Sequence, residues 1–173
     1  MTPEQKIILL DLSEGDIDES EALKRLPDSF PHDTEGIQAA LQKTLSGHDP
    51  DHLAAVIEWY LLFDNKKILE TEFLQLIACP GHRSHQFLVK HLQDDLRYPA
   101  AVPVIRKILS EGFAYLSYTC SEDGVIAKWF SHALKAIGSP EAIAVLQDFA
   151  KSENPEIREE MQYRLRKMGI APD

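Results

Sequence analysis

Residues 133–169 read ALKAIGSPEAIAVLQDFAKSENPEIREEMQYRLRKMG, and their punctuation decides the fold class. Ile126, Trp129, Phe130, Ala133, Leu134 and Ile137 lead into the stretch at helical spacing, and Gly138 stops that helix. Ser139-Pro140-Glu141 opens a second helix: serine offers a capping oxygen and proline tolerates the first helical position. Asn154-Pro155-Glu156 opens a third, striped by Ile157, Met161, Leu165 and Met168 before Gly169 ends it. Three helices joined by turns of a few residues, with no period-2 alternation, predict an all-α chain.

Outward from there the same grammar recurs. Asp49-Pro50 opens a helix with Leu53, Val56, Ile57, Tyr60 and Leu61 on one face, and Thr2-Pro3-Glu4-Gln5 has the form of a capping box. Two short helices are predicted near 3–13 and 18–26, and further ones near 34–46, 50–63 and 66–78. Laying residues 79–109 over 120–150, an offset of 41, matches Cys79 with Cys120, His91 with His132, Pro99 with Pro140 and Ala101 with Ala142. Val104 falls on Val145, and Leu96, Val102 and Ile105 fall on Ile137, Ile143 and Leu146. Each unit is a helix, a short turn and a proline-opened helix. Such a pair cannot bury its apolar stripe alone, so copies are expected to stack. The expectation is one domain over residues 1–173 of about ten helices: an N-terminal cap over 1–33, repeats over 34–151 and a C-terminal cap helix over 152–173.

The composition fits a globular chain, at 173 residues, 44% apolar and 27% charged, with only eight glycines. The net charge of −10 is uneven. Residues 1–65 carry 14 acids and 4 bases, whereas residues 66–173 carry 14 of each. Asp11, Glu14, Asp16, Asp18, Glu19 and Glu21 are six carboxylates within eleven residues. Such a run reads either as a solvated face or as a patch that steers a cationic partner. The charge balance counts against direct binding of nucleic acid. The start, MTPEQKIILLDLSEGD, lacks the basic leader and long apolar region of a signal peptide, and no stretch approaches the ~20 apolar residues of a membrane span. A cytoplasmic protein, monomeric when free, is expected. Two cysteines are too few for a disulfide scaffold. At equivalent repeat positions Cys79 and Cys120 would stand ~8–10 Å apart, beyond the ~7 Å a disulfide spans, so both are expected as free thiols.

No catalytic constellation emerges. Cys79, His82 and His85 are spaced CxxHxxH across a Pro80-Gly81 turn, but no fourth ligand is local, so exposed imidazoles at a helix-start turn are expected rather than a metal. His48 and His52 are read as surface groups and His132 as packed or hydrogen-bonded. Ser131 and His132 are helix neighbours pointing about 100° apart, unsuited to a nucleophile–base pair. Asp94-Asp95 and Glu159-Glu160 are adjacent, hence splayed, with no apolar pocket to separate their pKa values. No P-loop, dinucleotide fingerprint, nucleophile elbow or His-Glu-x-x-His helix occurs. The chain reads as non-enzymatic, without cofactor or metal.

The run over 133–169 resembles HEAT-repeat sequence, with its Ile-Gly turn, its Pro-opened second helix and its Asn-Pro before the next first helix. YPAAVPVIRKIL, residues 98–109, is similar to the second helix of such a repeat. The resemblance covers residues 79–169 well and 34–78 loosely. It implies a right-handed α-α superhelix, a HEAT/armadillo-like solenoid. Many HEAT turns carry Asp then Arg; this chain has Glu122-Asp123-Gly124 with no following Arg, which puts an Asp–Arg ladder in doubt. A short acidic solenoid without catalytic groups is also similar to the small HEAT-like immunity proteins of polymorphic-toxin and contact-dependent inhibition systems. That likeness implies a protein that covers the active site of a basic, nuclease-type toxin domain. Anchors would come from residues 112–119, GFAYLSYT, where Phe113, Tyr115 and Tyr118 either serve as exposed hot-spot rings or plug the gap between repeats. A general adaptor in a cytoplasmic complex is an alternative. A HEAT-like nucleic-acid enzyme is a weaker one, because Arg106, Lys107, Arg158, Arg164, Arg166 and Lys167 are balanced by acids.

Overall fold

The computed structural model describes residues 1–46, 49–63, 66–80 and 82–172, and within them the chain is helical with no strand. Ten α-helices follow one another: α1 Pro3–Glu14, α2 Glu19–Arg25, α3 Thr34–Ser46, α4 Pro50–Leu62, α5 Glu70–Ala78, α6 His85–His91, α7 Ala101–Glu111, α8 Asp123–Ile137, α9 Pro140–Phe149 and α10 Pro155–Lys167. Short 3₁₀ segments cover Phe30–His32, Lys66–Leu69 and Ala114–Thr119, and α6 runs on into a π turn, Leu92–Leu96. No described helix is long and apolar enough to cross a membrane.

The starts are set by the chemistry read from sequence. Thr2 Oγ1 accepts from the Gln5 N–H at 3.2 Å while Gln5 Oε1 accepts from the Thr2 N–H at 2.7 Å, which completes the capping box. Asp18, Asp49, Ser139 and Asn154 cap α2, α4, α9 and α10 with side-chain oxygens.

Packing divides the chain into two compact units, Met1–Ser84 and His85–Asp173. The sequence reading takes residues 1–173 as one domain, with caps over 1–33 and 152–173. In the first unit α1 lies along α4, so the opening helices belong to this unit's core; α2 rests on α1, and α3 packs on α4 and α5. The helix α4 is buried nearly all round: Leu53, Val56, Ile57, Tyr60, Ala55, Trp59 and Leu62 are all inside. The Trp59 indole stacks on Phe30 with ring centres 4.3 Å apart, and its Nε1–H donates to the Phe30 carbonyl at 3.1 Å. Its one polar group is thus satisfied in the core.

In the second unit the offset-41 copies fold alike. Helix α8 touches α6 and its π turn on one side and α10 on the other, α7 packs against α9, and α9 also meets α8 and α10. Ala101 and Ala142 are fully buried at the same point of α7 and α9, as are Ile105 and Leu146. The two first helices end in the same left-handed backbone, at Arg97 (φ 49°) and at Gly138 (φ 67°), 41 residues apart. Arg97 takes the left-handed conformation despite its Cβ, and its guanidinium donates to the Gln93 and Asp94 carbonyls at the end of the π turn.

Candidate binding surfaces

The opening carboxylates gather around α1 and α2 of the first unit. Asp11, half-buried, pairs with Arg25 at 3.4 Å and holds the turn with its carbonyl, which accepts from the Asp16 and Ile17 N–H groups. Asp18 caps α2 through the Glu21 N–H at 2.8 Å, and Glu21 lies 3.8 Å from Lys24 across an exposed turn. Glu19 sits in the first turn of α2, where the helix dipole favours an acid. Glu14, Asp16 and Glu19 are exposed and take no side-chain partner among the described residues. Half of the run therefore builds local structure, and half faces solvent uncommitted.

The aromatic segment lies in the second unit and packs inward. Phe113 is buried, stacked parallel to Phe130 at 6.1 Å. Tyr115 and Tyr118 are half-buried against His85: Tyr115 meets the imidazole edge-on at 5.2 Å, and Tyr118 Oη lies 3.0 Å from His85 Nδ1. Burial, with Tyr118 adding to it, pushes the Tyr115 hydroxyl up to about 12. Of the two roles open to this segment, Phe113 fills the plug, because its ring has no free face to offer a partner.

Of the imidazoles expected to be exposed, His82 and His85 are buried and His52 is half-buried. His82 Nδ1 accepts from the Ser84 N–H at 3.1 Å, which fixes the proton on Nε2, and Nε2 donates to the Leu76 carbonyl at 2.9 Å. The ring thereby adds a second donor to the Leu76 carbonyl, which also accepts the Cys79 N–H at 3.2 Å where α5 ends. Burial holds His82 below its ordinary value, so it is neutral at pH 7. The Cys79 thiol, half-buried, donates to the Pro80 carbonyl, while Cys120 is exposed; both are free thiols. No group of three or more His, Cys, Asp or Glu able to hold a metal occurs among the described residues. Gly81 and His48, singled out from sequence, lie outside the described residues.

Two features went unread in the sequence. Arg164 is buried: its guanidinium donates to Glu160 Oε1 at 2.7 Å and to Ser131 Oγ at 3.1 Å, and Ser131 Oγ donates to the same Glu160 oxygen at 2.6 Å. This closed trio ties α8 to α10 and occupies the Ser131 hydroxyl. Its sequence signal is that Arg164 follows Met161 by three and Ile157 by seven, on the buried stripe. The α8–α10 pair has a second tie. Glu156 Oε2 accepts the orphan N–H of Gly124 at 2.8 Å, and Asn154 Nδ2 donates to Asp123 Oδ2 at 2.7 Å.

The other feature is a pair of hollows flanking α8. Between α6, with its π turn, and α8 lies one of about 430 Å³, walled by Val89, Val125 and Trp129 and edged by Gln86, Gln93, Lys90, Lys128 and His132. Across Val125 and Lys128, a wider hollow of about 640 Å³ between α8 and α10 is lined by Glu122, Glu156, Glu159 and Glu160 with Tyr163 and Arg166. Trp129, placed on the buried stripe from its spacing, is only half-buried and forms a wall of the first hollow. His132 is held below its ordinary value by burial first and by the Arg164 charge second. Asp94 and Asp95 pair separately with Lys90 and His91, as their splay requires. Compared with protein-family models, curated proteins and solved structures, the chain matches none.

Proposed function

We propose that this chain is a non-catalytic binding protein of the immunity type, which neutralises a basic, nuclease-type toxin domain by covering its active site. The single observation that carries the reading is the exposed acidic turn from Glu14 to Glu21, where Glu14, Asp16 and Glu19 are committed to no internal partner. A nuclease needs a cationic groove to hold phosphates, and a negative field of this kind raises its encounter rate and fixes its register. The paired helices of the second unit support a further part of the proposal, that the repeats form a right-handed solenoid offering a long face to the partner. A contact of standard size, about 1,600 Å², supplies nanomolar affinity when a few anchors are well packed. The protein acts in this account as a cytoplasmic monomer and alters no covalent bond in its partner.

The test is co-purification from native lysate followed by a nuclease assay of the recovered partner. A basic protein whose nuclease activity falls to background at one equivalent of this chain is expected. Recovery of partners with no basic member, or of a nuclease that stays active when saturated, contradicts the reading.

A further inference from the structure

We infer that the hollow between α6 and α8 is a binding site for a compact organic anion, a flat apolar body carrying one carboxylate or sulfonate. The body would lie against Val89, Val125 and Trp129, and the charge would meet Lys128 Nζ. Three observations meet there. The volume, about 430 Å³, is that of a small-molecule site, and an apolar floor with few polar groups is the usual lining of one. Trp129 presents a half-buried indole, whose face stacks on flat rings at little entropic cost. No acid lines the hollow although the chain carries −10, and Lys128 is exposed with no side-chain partner among the described residues. Lys90 adds a second cation, its charge partly met by Asp94, which also takes a bond from the Gln93 amide, and the Gln86 amide can donate to anionic oxygens.

The neighbouring hollow sets the length of the occupant. Beyond Val125 and Lys128 stand Glu122 and Glu159, neither engaged in a side-chain contact. An acidic peptide long enough to cross α8 would bring its carboxylates against these two. A ligand whose charge stops on the near side of Lys128 stays farther from them, with the Lys128 charge between, and meets weaker repulsion. The inference does not rest on the acidic turn of the first unit.

Anilinonaphthalene sulfonate has the required shape and charge, and its emission on binding reports the site. The expected result is one dye per chain, bound at least about tenfold more weakly by Lys128→Glu and by Val125→Glu, because the first reverses the recognised charge and the second puts a carboxylate on the wall. Lys151→Glu, an equal charge change on an exposed side chain outside the hollow, is expected to leave binding unchanged. Naphthalene carboxylate is expected to displace the dye, and the uncharged twin phenylnaphthylamine to bind several-fold more weakly. Circular dichroism and the melting temperature verify that both groove variants remain folded. Absence of binding, equal effects of Lys128→Glu and Lys151→Glu, or equal affinity for the uncharged twin would overturn the inference. Displacement by an acidic apolar peptide but not by naphthalene carboxylate would do so too, moving the site to a protein partner.

Discussion

Glu58 shows how burial turns an ordinary side chain into a pH-sensitive one. It sits on α4 between Ile57 and Trp59, both buried, and burial alone pushes its carboxyl up to about 7. The folded state then holds a proton that the unfolded chain releases near pH 4.5, so this group's contribution to stability is complete below about 4.5 and is lost as pH rises through about 7. Glu58→Gln is expected to be more stable than wild type above pH 7 by about 1–2 kcal/mol, after discounting for partial solvent access, and the gap should close near pH 4.5. Urea titrations of both proteins across that range measure the difference and cancel the opposite slopes of His52 and His82, which burial holds low. Arg164 carries the other residue-level prediction. Removing the guanidinium leaves Glu160 half-enclosed without its counter-charge, so Arg164→Ala should cost about 3–5 kcal/mol in a urea melt. Arg164→Met with Glu160→Gln should recover most of that, because the triple contact is expensive to break and weakly favourable to own. Neither residue was legible from sequence, since spacing alone does not tell a stripe that admits a paired charge from one that does not.

The helices themselves were legible, and for identifiable reasons. Each well-read start carries a side-chain oxygen followed by Pro or Glu, and the structure uses those atoms as caps at Thr2, Asp18, Asp49, Ser139 and Asn154. Where local signals were weaker the reading slipped. The first-copy helix lacks a glycine stop and ends in a π turn with Arg97 forced into the left-handed region, a feature no periodicity announces. His82 was read as exposed because the carbonyl it serves, Leu76, becomes available only once α5 has formed. Trp129, read onto the buried stripe, is only half-buried, and Phe113, open to either role, is buried; helical spacing places a ring on a face, and the neighbouring helix decides whether that face is covered. Asn154 gives the sharpest check of the α8–α10 pairing, since it caps α10 and also holds Asp123. Asn154→Ala should cost about 1–2 kcal/mol, near the upper end for a cap. Asn154→Asp should keep the cap but lose the tie to Asp123, falling between the two in a thermal melt.

For the molecule as a whole, the division of charge is the fact that composition alone conceals. The second unit is close to neutral and builds its interior from a repeated helix pair; the first carries nearly all of the net negative charge, part of it on a turn that packing leaves exposed. The charge asymmetry could be read from sequence because it needs only counting. Which acids are free could not, because Asp11, Asp18 and Glu21 are committed through contacts that only the folded chain makes. Their free neighbours therefore supply the variant of choice: Glu14→Gln, Asp16→Asn and Glu19→Gln together remove three charges while sparing the α2 cap and the Asp11–Arg25 pair. The decisive measurement is the association rate with the basic partner as salt rises from about 50 to about 300 mM. The account predicts a fall of at least about tenfold for wild type and a distinctly shallower dependence for the triple variant, with dissociation little changed. A flat profile, or equal slopes for the two proteins, would contradict it.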